Sequence, residues 1–182
     1  LDTMKAVDTE LVSIQKVTGY TAQQMDKLSE SAYNLASQYG RTADEVLAAA
    51  TTFARAGYED QIEALAELSL LTQNVGDVSA DTASKFIIAA DAAWKLGGNE
   101  TKLREILDGL NEITNKNAVD MEALTSGITV AGSVFAEAGE SVQTFSALVG
   151  VGVTATQRSG SEISRALRTI VMNIRQIRGE TE

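Results

Sequence analysis

Cysteine, histidine and proline are all missing from this 182-residue chain, and each absence removes a class of function. Without cysteine there is no disulfide, no thiol nucleophile and no thiolate-bound metal, and the redox compartment stays open. Without histidine the commonest general base and the commonest transition-metal ligand are gone. Ser/His/Asp and Cys/His catalysis are therefore impossible. Without proline no helix is interrupted by a missing N–H. Aromatic residues make up 5 % of the chain against 44 % apolar residues overall, and Ala, Leu, Ser and Thr abound. Small side chains bury little area each, so the expected core is thin and spread out. No run of about 18 apolar residues occurs, as a membrane-spanning helix requires. The longest candidate, 145–156, is too short and too rich in Gly and Thr, so no membrane contact is expected.

Positive charge is also scarce: 15 Lys and Arg stand against 25 Asp and Glu, a net charge of −10. Phosphate binding needs a basic surface, so nucleic acid is not expected as a partner. The imbalance is uneven. Residues 1–157 hold 10 basic against 22 acidic residues, whereas 158–182 hold five Arg against three Glu. The C-terminal end is thus a basic patch on an acidic body.

What the chain does have is glycine at regular intervals. Gly19, Gly40, Gly57, Gly76, Gly97, Gly139, Gly160 and Gly179 each follow a helix-period apolar pattern. Glycine suits the left-handed position that ends many helices. The double-length interval between Gly97 and Gly139 contains Asn115-Lys116-Asn117, and Asn is the next-best residue there. Helix starts interlock with these stops. Thr21 with Gln24, and Thr42 with Glu45, have capping-box spacing, and Ser79, Asn99, Asp120, Ser141 and Ser161 are good N-caps. The pattern predicts about nine helices in an all-α fold, an irregular bundle or stacked helical hairpins.

Inside the segments the period is helical. Val46, Ala50, Phe53 and Gly57 share a face, as do Leu103, Ile106, Leu107, Leu110 and Ile113. Met121, Leu124, Ile128, Ala131, Phe135 and Ala138 step by three and four as a heptad seam does. Residues 148–154 are β-branched and carry Gly150 and Gly152, so a strand competes there with a helix packed through its glycine face. The helix is the expectation. A single continuous rod is excluded because the seam restarts at each glycine. The chain is expected to be one helical domain over 1–182, cut from a longer protein.

Catalytic constellations are scarce. Carboxylate pairs at Asp44/Glu45, Glu59/Asp60 and Glu63/Glu67 are more simply read as solvated faces or acidic helix starts, which the helix dipole favours. Gly150, Gly152 and Gly160 form no phosphate-loop string, and Asp77, Asp81 and their neighbours lack calcium-loop spacing. No catalytic residue, no metal site and no cofactor is expected. Trp94 lies on a face with Phe86 and Ala90, which points to core packing, with a partner contact as the other reading. Toward the end, Ile163, Ala166, Leu167, Ile170, Ile174 and Ile177 form an apolar arc. Arg165, Arg168, Arg175 and Arg178 gather opposite, with Met172 among them. The arginines are either a solvated face or a docking surface for an acidic partner or an acidic part of this chain. Met172 tilts the reading toward contact, which makes Arg165, Arg168, Met172, Arg175 and Arg178 candidate interface residues.

Several strings resemble the N-terminal conserved domain of TP901-type phage tail tape measure proteins. Phe53-Ala54-Arg55-Ala56-Gly57-Tyr58 is similar to the family's Ala-Arg-Ala-Gly helix end. Ser159-Gly160-Ser161-Glu162-Ile163-Ser164-Arg165-Ala166-Leu167-Arg168-Thr169-Ile170 resembles its Gly-Ser motif and following helix. Between them, 130–139 and 141–148 look like its pair of small-residue helices. The similarity runs in order over nearly the whole chain. In one departure, Ile163-Ser164-Arg165 stands where many members carry Ala-Gly-Thr, which argues against close packing at that helix start. The resemblance implies a non-enzymatic structural module, acting in the virion tail lumen and, during assembly, in the host cytoplasm. It further implies tail tube and tail assembly proteins as partners, self-association in the parent protein, and a part in setting tail length. A helical adaptor or sensor-type domain of cellular origin remains the alternative. A peptidoglycan-cleaving module is a poorer third.

Overall fold

The computed structural model describes residues 2–179, and the described chain is an all-α multi-helix bundle with no strand. In order, the helices are α1 (Asp2–Thr18), α2 (Ala22–Tyr39), α3 (Ala43–Arg55), α4 (Ile62–Gly76) and α5 (Ala80–Trp94). They continue with α6 (Glu100–Lys116), α7 (Met121–Glu137), α8 (Val142–Thr156) and α9 (Gly160–Gly179), and a 3-10 turn at Glu59–Gln61 precedes α4. Nine helices are thus present among the described residues, as the glycine and cap pattern predicts.

The boundaries follow from local chemistry. Thr21 forms a reciprocal capping box with Gln24, and at Thr42 the backbone N–H donates to the Glu45 carboxylate at 2.9 Å. Asn99, Asp120 and Ser141 each accept a hydrogen bond from the backbone N–H three residues on, and so does Ser79. Each such cap is worth about 1 kcal/mol. At the other ends, Gly19, Gly40, Gly57, Gly97 and Gly139 are left-handed as expected. Gly40, at φ 68°, turns its N–H back to the Ala36 carbonyl.

Three boundary expectations are corrected. Gly76 ends α4 without a positive φ, and the left-handed residue is Asp77 (φ 48°). Gly160 starts α9 and stops nothing; α8 ends at a left-handed Gln157 (φ 59°). Both glycines serve close approach instead. A Cβ on Gly76 would lie 2.9 Å from Cγ of Met121, and one on Gly160 would lie 2.0 Å from the Ala123 carbonyl oxygen. Third, the cap of α9 is Ser159, not Ser161. Asn117 does end α6, but in an extended conformation.

The chain gathers into two compact units. The first takes residues to Asn74 together with Ser79–Ser84. Here α3 packs against α1 and α2. Its alanines at 43, 49, 50 and 54 are buried, which lets the neighbouring backbones come close, and Ile14, Leu47, Phe53, Leu65, Leu68 and Leu70 are all fully buried in this unit. Thr51 donates to Glu10 at 2.6 Å, tying α3 to α1.

The second unit holds Val75–Val78 and the chain from Lys85 onward. Its principal contacts are α7 with α9 and α8, and α8 with α6 and α9. Phe86, Ile87, Leu103, Leu107, Leu110, Leu124 and Phe145 are fully buried, and the Phe135 and Phe145 rings lie 4.6 Å apart. The α7 seam is buried from Met121 to Phe135, whereas its expected last member, Ala138, is the exposed C-cap. Residues 148–154 are helical. Their glycines meet Ile113 and Val119 at Gly150, and Ile163 at Gly152. The packed glycine face therefore replaces the competing strand.

Candidate interaction surface

The basic, amphipathic α9 is positioned by its first turn. The Ser159 hydroxyl accepts from the Glu162 N–H at 3.3 Å. In return, the Glu162 carboxylate accepts from the Ser159 N–H at 3.1 Å and from its hydroxyl at 3.0 Å. The backbone bond from Ser159, then its hydroxyl, hold the Glu162 carboxyl below its ordinary value; Arg158 and Arg165 add to this. Past the cap, α9 is pressed against α7 and α8 through three glycines. Gly160 touches the Ala123 backbone; a Cβ on Gly127 would lie 2.7 Å from Ser164 Oγ; one on Gly152 would lie 2.5 Å from Ile163 Cγ2.

The expected looseness at Ile163-Ser164-Arg165 is therefore not found. Glycines on the two facing helices make room for the larger side chains, and Ser164 is fully buried.

Beyond this clamp the helix behaves differently. The apolar arc is largely uncovered: Ile170 is 54 % exposed, Ile174 50 % and Ile177 64 %. Helical geometry explains it. At 100° per residue, the buried positions Gly160 and Ser164 and the half-buried Val171 lie to one flank of the arc, about 80° from its centre. The clamp sets the helix's rotation, and the arc follows from it. An open groove of about 680 Å³ results, lined by Phe135 and Ala138 at the end of α7, Leu148 of α8, and Ile170 and Ile174 of α9.

Arg165 and Arg168 are exposed, as is Met172 at 51 %. Arg175 pairs with Glu137 of α7 at 3.0 Å. One arginine of the predicted stripe thus meets an acidic residue of the same chain, while the Arg178 side chain lies outside the described residues. The exposed isoleucines are the feature that sequence reasoning missed, because periodicity reveals an apolar face but not what covers it.

The other sequence candidates take structural positions. Trp94 is half-buried rather than part of the deep core. Its Nε1–H donates to the Glu140 carbonyl at 2.9 Å, and its ring packs over Gly132 and near Phe145. Among the carboxylate pairs, Glu45 caps α3, Glu67 accepts from the Tyr39 hydroxyl at 2.9 Å, and Glu63 accepts from Ser31. Glu59, through its carbonyl, accepts from the Tyr20 hydroxyl. Burial first, then Asp60 and Glu59, raise the Tyr20 pKa above its usual value. Among the described residues there is no cluster of three or more metal-ligating side chains and no helix long and apolar enough to cross a membrane.

Residues 22–181 match the family described as phage-related minor tail protein. Neither a curated protein nor a solved structure matches the chain.

Proposed function

We propose a tape-measure role in tail assembly and tail length determination for this chain, which belongs to the phage-related minor tail protein family. The observation that carries the reading is the family match over nearly the whole chain, together with the work done by the motif that resembles tape measure proteins. In that motif Ser159 caps α9 and Gly160 admits the α7 backbone, so the resemblance falls on residues that build the fold. The compact, multiply capped helices suit a folded assembly module, and a separate extended helical region of the parent protein would do the measuring. The module acts without catalysis, in the tail lumen of the virion and in the host cytoplasm during assembly. Its partners are tail tube and tail assembly proteins. A cellular adaptor role has no comparable support.

Arg165, Arg168, Met172, Arg175 and Arg178 are the proposed docking face toward those proteins. Charge reversal at Arg168 and Arg175 tests this in the parent protein. Fewer assembled tails at an unchanged melting temperature is the expected result. Normal tail yield would return the stripe to a solvated surface.

A further inference from the structure

We propose that α9 is a homotypic interface, in which a second copy of this chain covers the exposed isoleucine seam and fills the groove beside it. The proposal rests on the tail reading only for its purpose, since the surface itself supplies the argument.

Ile163, Leu167, Ile170, Ile174 and Ile177 step by four, three, four and three residues, the spacing that keeps one stripe facing a neighbouring helix. Within its own unit α9 buries the flank of this stripe. Its later members stand at least half exposed. A stripe of this period calls for a helix laid alongside, and the charges around it select which helix. The seam's open flank carries Ala166 and Asn173, both neutral, while Arg165, Arg168 and Arg175 lie at least about 120° from the seam centre. Two copies of this helix can therefore approach without bringing Arg165, Arg168 or Arg175 into the seam.

Across the groove, the end of α7 and the turn after it carry Glu137 and Glu140. A second α9 brings isoleucines to the apolar lining of Phe135, Ala138 and Leu148, and arginines to this acidic rim. An acidic helix would meet carboxylates there instead. The patch thus holds both halves of its own complement, as a two-fold interface requires. The existing Arg175–Glu137 pair is exposed on both sides, and such surface pairs exchange partners at little cost.

Sedimentation equilibrium of the 182-residue chain tests the inference. The expected species at high micromolar concentration has twice the 19.3 kDa chain mass. The double variant Ile170→Asp/Ile174→Asp should raise the dissociation constant about tenfold or more. Its circular dichroism should be unchanged, because both residues are half exposed. Glu137→Lys/Glu140→Lys should also weaken association. A chain that stays monomeric, or a dimer indifferent to both variants, overturns the proposal. Either result leaves the tail reading to be judged by the yield and length of tails.

Discussion

Replacing Gly160 by Ala sets two effects of known size against each other. In a helix, alanine is favoured over glycine by up to about 1 kcal/mol, so propensity alone makes the change stabilising. The structure demands the opposite. The added Cβ would sit 2.0 Å from the carbonyl oxygen of Ala123, 2.6 Å from its carbon and 2.9 Å from its Cα. All three are backbone atoms, so no rotamer change relieves the overlap, and the start of α9 must move off α7 by about 1 Å. That movement also loosens Ile163 over Gly152 and Ser164 over Gly127. Overpacking of this kind costs about 1–3 kcal/mol, and a rigid obstacle puts it at the upper end. After the propensity gain, a net loss of about 2 kcal/mol is expected, or roughly 4–8 °C in melting temperature for a chain of this size. Thermal unfolding followed at 222 nm measures it. Gly109→Ala is the control: the new Cβ there meets the exposed Gln143 side chain at 3.1 Å, which can swing away. That variant should gain about 0.5–1 kcal/mol. If Gly160→Ala is as stable as the control, the close approach of α9 to α7 is wrong.

Three further outcomes are expected. Trp94→Phe loses both the bond to the Glu140 carbonyl and the outer ring carbons that pack on Gly132, and should cost about 1–3 kcal/mol in chemical denaturation; no loss would show both contacts to be absent in solution. Lys95 is left-handed at φ 53°, so Lys95→Gly should stabilise by about 0.5–1 kcal/mol in the same assay, and a destabilised variant would contradict that geometry. Glu162 has a folded pKa below the ordinary 4.5. Its contribution to stability is therefore present above the unfolded pKa and is lost as pH falls through the lower folded value. Glu162→Gln keeps a capping side chain but cannot titrate, so its stability should fall less steeply under acid than the parent's; identical acid profiles would refute the role assigned to that carboxylate.

Most of the fold is legible in the sequence because helix ends are local. Thr21 with Gln24, or Asp120 with the N–H of Ala123, need only a few consecutive residues to declare themselves. Glycine is ambiguous, and there the reading fails. At Gly40 it permits a left-handed turn, a local matter, whereas at Gly160 it permits another helix to touch, which depends on residues nearly 40 positions away. Sequence spacing treats the two alike. Ser161 was the expected cap for the related reason that taking Gly160 as a stop shifts the helix start by two residues.

The candidate surface is legible only in part. The arginine stripe and the apolar arc of α9 both follow from a helical wheel. Which side of that wheel is buried depends on Gly127 and Gly152, on two other helices, and these turn the arc toward solvent. The same rotation brings Arg175 to Glu137, a pairing no local pattern announces.

The central claim, that this module serves tail assembly and length, is tested most directly by electron microscopy. The particles to image come from a phage whose parent protein lacks residues 22–181. The account predicts heads without tails, or tails of altered length. Tails of unchanged number and length would contradict it.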